Sequence, residues 1–260
     1  MENLRVLRLT GHEISDLTPI AGLTNLSTLD LGGNSITDLT PLAGLTNLVD
    51  LRLWGQSLHL DESERPYIDL TPLAGLENLR ELTLSLNRIY DLSPLSELES
   101  LNDLWLANAR FYNEQSLGTL GSLGLVSLSG FEGDVSLLAT LTDVRWLDLS
   151  YVQGLSDLAP IAGLTHLRGL FLSNNGITDI GPLAGFTNLF TLDLGHNQIT
   201  DVSPLAGLTE LRTLLLNDNL IVDVSPLAGL WASLNLENNP VADWSSIEHR
   251  RDFVQGWSER

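Results

Sequence analysis

The sequence predicts an α/β solenoid, with a curved parallel sheet on its concave side and short helices or 3-10 turns on its convex side. Three observations carry that prediction. A 22-residue unit recurs along nearly the whole chain, so that NLSTLDLGGNSITDLTPLAGLT at 25–46 returns at 188–209 as NLFTLDLGHNQITDVSPLAGLT. Each unit opens with a short alternation of apolar and polar residues, and each closes on a proline-led return rich in leucine. Self-similarity at a fixed period of this length marks stacked units, none of which can bury its apolar face alone.

The elements follow in chain order. In Thr28-Leu29-Asp30-Leu31-Gly32 the alternation has the period of a strand with one buried face, so Leu29 and Leu31 point inward. One such strand per unit, stacked, gives a parallel sheet whose outward residues line a groove. Asn34 follows the strand, with equivalents at Asn87, Asn175, Asn197, Asn219 and Asn239, where an amide can satisfy main-chain groups of the turn and of its neighbour. His12, Gln56, Ala109, Phe131 and Val152 occupy that position in the degenerate copies. The return Asp38-Leu39-Thr40-Pro41-Leu42-Ala43-Gly44-Leu45 supplies Thr40 as a cap, Pro41 at the first helical position and two inward leucines. An aspartate recurs before this return at Asp16, Asp38, Asp69, Asp91, Asp179, Asp201 and Asp223. A residue copied into nearly every unit serves the unit, and hydrogen bonding to the following turn accounts for it.

The repeat array is expected over residues 1–244, about eleven repeats with the last incomplete. Over 245–260 a capping helix is expected, because Trp244, Ile247, Phe253, Val254 and Trp257 stand among charged residues at the end of the stack. At the other end Met1-Glu2-Asn3-Leu4 enters the first repeat directly. Val6 to Leu9 is therefore expected as a naked edge strand, trimmed of a cap or contacted by another domain or chain. The third copy carries an insertion over Ser57 to Pro66, and the copies from Ser100, Ser122 and Asp143 depart from the pattern.

Composition narrows the functions. The net charge of -20 comes from Asp and Glu set against arginine alone, with no lysine, which disfavours nucleic acid and anionic membrane surfaces. No apolar run is long enough to insert in a membrane, and Met1 to Thr10 does not read as a secretory signal. Without cysteine there is no thiolate nucleophile, metal ligand or disulfide. The histidines His12, His59, His166, His196 and His249 lie in different copies, and no phosphate-cradling loop occurs. No catalytic residue and no cofactor is expected.

The period, the asparagine position and the D-L-x-P-L-A-G-L return closely resemble the 22-residue bacterial leucine-rich repeats of the internalin type. That resemblance implies a leucine-rich-repeat solenoid acting as a protein-binding module, on a bacterial surface or secreted, with partners taken on the concave sheet. A cytoplasmic location stays open. The helical N-terminal cap that opens such domains is missing from this sequence.

Projecting the unit onto the sheet gives the candidate residues. Asp50, Glu81 and Asp103 fall in one outward column of successive strands, a weak candidate cluster for a divalent cation or a basic partner. Trp54, Trp105, Trp146 and Phe171 take outward positions, with Tyr151 just beyond a strand, rimmed by Asp50, Arg52, Glu81, Asp103 and Asp148. Outward rings are not needed for a leucine core and have the composition of an interface. The readings are a module binding a protein partner, a carbohydrate binder using the tryptophans, and a structural spacer of a larger bacterial surface protein.

Overall fold

The computed structural model describes residues 3–120 and 123–257. The N-terminal residues Met1 and Glu2, the start of the copy from Ser122 and the end of the expected cap at 258–260 lie outside them. The chain forms two compact units, Met1–Asp143 and Val144–Arg260.

In the first unit six strands, β1 (Val6–Arg8), β2 (Thr28–Asp30), β3 (Asp50–Arg52), β5 (Glu81–Thr83), β7 (Asp103–Trp105) and β9 (Leu125–Ser127), pair in parallel in that order. A second, three-stranded parallel sheet runs β4 (Tyr67–Ile68), β6 (Arg88–Ile89) and β8 (Arg110–Phe111) along the flank. The second unit pairs β10 (Trp146–Asp148), β11 (Gly169–Phe171), β12 (Thr191–Asp193), β13 (Thr213–Leu215), β14 (Ser233–Asn235) and β15 (Val254–Gln255), again all parallel and in sequence order. This is the leucine-rich-repeat solenoid that the period predicts. The register reports the irregular copies: Thr28 pairs with Asp50 at the ordinary spacing, whereas Asp50 pairs with Glu81 because the insertion over 57–66 is looped out between them.

Strands pack on strands and returns on returns, with the inward leucines between. Leu29, Leu31, Leu42, Leu45, Leu51 and Leu53 are fully buried, and the same positions recur throughout. Leu4, Leu7 and Leu9 of the first repeat, whose strand β1 lies at the edge of the sheet, are partly exposed.

The asparagine ladder stitches the stack. Asn197 donates through Nδ2 to the carbonyls of Leu172 (3.0 Å) and Leu194 (2.9 Å), and its Oδ1 accepts from the N–H groups of Asn175 and Ile177. Gln56 does the same work with one more methylene, donating to Leu31 and Leu53 carbonyls and accepting from Ile36 N–H. Ala109, Phe131 and Val152 fill the position with buried apolar groups instead.

The returns are 3-10 turns, such as Thr40–Leu42, with proline near their start. Thr40 is not the cap. No side chain caps the turn from that position, and the preceding Asp38 instead accepts the Thr40 N–H through Oδ1 at 2.8 Å. A proline at the second position of the turn leaves the Thr40 N–H as the donor to satisfy, and a carboxylate two residues upstream reaches it. The same bond joins Asp16 to Thr18, Asp69 to Thr71, Asp91 to Ser93, Asp179 to Gly181, Asp201 to Ser203 and Asp223 to Ser225.

At the C-terminal end a 3-10 helix, Ser245–Phe253, is followed by β15, which adds a strand beside β14. The helix buries Ile247 and Arg250. Arg250 donates to the carbonyls of Leu227 (3.2 Å) and Ala232, and burial holds its pKa below the usual arginine value. The long guanidinium thereby ties this helix to the return and the strand entry of the preceding copy.

Candidate functional site

The strand-bearing face of the first unit carries six of the candidate residues. Asp50, Glu81 and Asp103 do form one column, paired strand to strand by the register. Beside that column Arg52 supplies positive charge. Its guanidinium makes a two-pronged bond to Asp50, Nε to Oδ1 at 3.1 Å and Nη2 to Oδ2 at 2.9 Å, and reaches Glu81 at 3.6 Å. Asp103 accepts from Asn102 Nδ2. Among the described residues no group of three or more His, Cys, Asp or Glu side chains is placed to share a metal ion. Burial pushes the Glu81 carboxyl up, the charge of Asp50 adds to the rise, and Arg52 opposes it. A shallow cleft of about 440 Å³ opens beside this column, lined by Asp50, Arg80, Glu81, Asn102 and Asp103.

The two tryptophans of this unit are not brought together. Trp54 leans over the preceding repeat, into space left by Gly32, where a methyl group would run into the indole. Trp105 stands on β7, between β5 and β9, and is 37 % exposed, although its strand neighbour Leu104 is fully buried.

On the corresponding face of the second unit, Trp146 and Phe171 are brought together. Their rings stack at 6.4 Å between centroids and 28° between planes. Gly169, beside Trp146 on β11, is the residue that admits the indole. Asp148 shares a column with Phe171 and Asp193. Asp193, which the sequence reading did not single out, accepts the Gly195 N–H at 2.9 Å; burial pushes its carboxyl up and that bond opposes the rise. Tyr151 is 62 % exposed and sits in the left-handed region at φ 59°. Equivalent turns of this unit use Asn174, His196, Asp218 and Asn238 at positive φ, so tyrosine is the unusual choice.

A further aromatic group forms around Tyr112, in the irregular copy from Ser100, and its gathering is not evident from the sequence. Tyr67, Tyr90 and Tyr112 gather on the flank sheet of the first unit, and Tyr90 and Tyr112 are 51 % and 65 % exposed. The individual positions carry a signal: Tyr90 and Tyr112 stand between the Ile or Phe and the residue opening the return, where Thr37, Thr178 and Thr200 stand in regular copies.

Among the described residues no helix is long and apolar enough to cross a membrane. The family described as leucine rich repeats (2 copies) matches residues 2–44 and 187–229. No curated protein sequence matches the chain. Among solved structures, an internalin (inlF) from Listeria monocytogenes is 33% identical with a TM-score of 0.73, the match covering 95% of this chain and 71% of that one. A chain of the mouse RP105/MD-1 complex matches at 22% identity and a TM-score of 0.74, over 97% of this chain and 45% of that one. The plant peptide hormone receptor RGFR1 in complex with RGF2 matches at 22% identity and a TM-score of 0.58, over 92% and 44%. The latter two share the fold.

Proposed function

The chain belongs to the internalin family of leucine-rich-repeat proteins, and on that premise we propose that it is a non-catalytic module that takes a protein partner on its strand-bearing faces. Leucine-rich-repeat proteins of this kind are protein-interaction modules. In this reading residues 1–244 are the recognition array and 245–260 its cap.

One observation carries the reading: Trp105 is exposed on a strand whose inward neighbour already fills the core. An aromatic ring in that position contributes little to burial in the free protein, and rings of this type dominate the energetics of interfaces. Around it the Asp50–Arg52–Glu81 network offers fixed charge of both signs, and a held guanidinium loses little freedom on binding. In the second unit, Trp146 with Phe171, Asp148 and the exposed Tyr151 supply a ring pair beside a carboxylate. The solved RP105/MD-1 and RGFR1–RGF2 complexes pair this fold with protein or peptide partners, which supports the class of ligand.

Site-specific photo-crosslinking tests the proposal. A crosslinkable side chain at Trp105 should capture the partner, and one at the exposed return residue Ala43 should not. Capture only from Ala43 would move the interface off the strands.

A further inference from the structure

The flank sheet of the first unit holds chemistry that neither the core nor the strand-bearing face uses. Tyr90 and Tyr112 stack at 5.0 Å and 8°, and Tyr67 meets Tyr112 edge to face at 5.7 Å. Regular copies place a small threonine where Tyr90 and Tyr112 stand, so the repeat itself does not require the rings. Their exposure in a free protein leaves a contiguous aromatic surface of the type that marks a recognition site.

The surroundings are acidic, and the local arginines are already engaged within the chain. Arg88 donates to the carbonyls of Ser63 and Arg65 and to the Tyr67 hydroxyl, which ties down the inserted loop. Arg110 pairs with Glu132 at 2.6 Å. Asp69 and Asp91 accept the N–H groups of Thr71 and Ser93, and Glu114 accepts that of Asp134. Those bonds are to neutral donors and leave the carboxylate charge in place, just as the neutral acceptors leave the charge of Arg65 and Arg88, so with Arg110 and Glu132 paired the three carboxylates outnumber the two guanidinium groups. The chain as a whole carries -20. Arg88 also shows how a ring of this cluster is used, because its guanidinium lies over Tyr67 at 4.1 Å from the centroid.

We propose that this flank is a second docking site, separate from the strand-bearing face, and that its occupant is a cationic segment of a protein. An arginine or lysine of that segment lies against Tyr90 or Tyr112 in the way Arg88 lies over Tyr67, with Asp69, Asp91 and Glu114 supplying the opposite charge. Aromatic rings give the contact its position, and the carboxylates give it its sign.

The test uses a short Arg–Gly repeat peptide as probe, titrated into the intact protein at physiological ionic strength, with a Glu–Gly repeat of the same length as the charge control. The expected result is binding of the cationic probe, with shifts in the ring resonances of Tyr90 and Tyr112. The double variant Y90T/Y112T installs the residue that regular copies carry, so its melting temperature checks that the fold persists. Its affinity should be roughly five- to thirtyfold weaker, the loss of one or two ring–cation contacts. W105A should bind the probe as the parent does, which keeps this site's outcome separate from that of the strand-bearing face. Equal affinity in parent and Y90T/Y112T would overturn the proposal, since net charge alone would then be drawing the peptide. So would unshifted tyrosine rings, or rings that respond to a neutral oligosaccharide such as chitobiose and not to the peptide.

Discussion

Gly169 makes room for the indole of Trp146: a methyl group at Gly169 would run into the six-membered ring, and the two residues are register partners on β10 and β11. The ring is therefore seated on its neighbouring strand before any partner arrives. Gly169→Ala should displace the indole, disturb its stacking on Phe171 and cost about 1–3 kcal/mol, as overpacking does. Denaturant unfolding with tryptophan fluorescence reads both effects. An unchanged midpoint would mean that Trp146 swings freely over the sheet.

The ladder amide sets a second expectation. Asn197→Ala removes partners from three carbonyls and two N–H groups at once, and should cost about 2–5 kcal/mol. Asn197→Gln should cost clearly less, because Gln56 keeps the carbonyl bonds and one of the N–H bonds at the equivalent position. Similar losses for the two variants, measured by urea titration, would contradict that equivalence.

Acid should weaken the fold through the returns. Asp16, Asp38, Asp91, Asp201, Asp223 and Asp243 are held below their usual carboxylate pKa mainly by hydrogen bonds from the turn they open. A depressed folded pKa contributes stability that is present above the unfolded value and lost as pH falls through the folded one. Glu81 and Asp193 run the other way, since burial raises them and protonation relieves it. With the depressed group in the majority, stability should decline as pH drops below about 4. The variant D201N/D223N should show a shallower decline below about pH 4, read by unfolding at each pH.

Tyr151 holds a left-handed backbone that asparagine adopts more readily. Tyr151→Asn should raise stability by about 0.5–1 kcal/mol, and partner affinity should fall if the exposed ring contacts the ligand. A melting temperature that drops instead would show the ring to be part of the packing.

Much of this was legible because it repeats. The inward leucines, the strand at Thr28–Asp30, the asparagine at Asn34 and the insertion after Ser57 all follow from the period, and each occupies its expected place. A hydroxyl before proline has the chemistry of a cap, yet Asp38 does the capping by accepting the Thr40 N–H. Alternation tells which side of the sheet a ring occupies and not which neighbour it leans on. Trp54 over Gly32 and Trp146 over Gly169 therefore became visible only once the strands were in register. The sequence places Arg52 on the rim, and only the fold brings its guanidinium onto Asp50 and Glu81 as their counter-ion. Tyr90 and Tyr112 lie at a position that the repeat leaves unconstrained, where only comparison with Thr37, Thr178 and Thr200 exposes them.

Leu104 and Trp105 are adjacent on β7 and face opposite ways, so one pair of variants separates fold from recognition. Leu104→Ala leaves a cavity at a fully buried site and should cost about 2–5 kcal/mol of stability. Trp105→Ala should change stability by roughly 1 kcal/mol or less, and should weaken binding of the protein captured by the Trp105 crosslinker by about 2 kcal/mol or more. Unfolding and calorimetry on the same two variants give the answer. A Trp105→Ala protein that unfolds as readily as Leu104→Ala and still binds its partner at parental affinity would contradict recognition on the strand-bearing face.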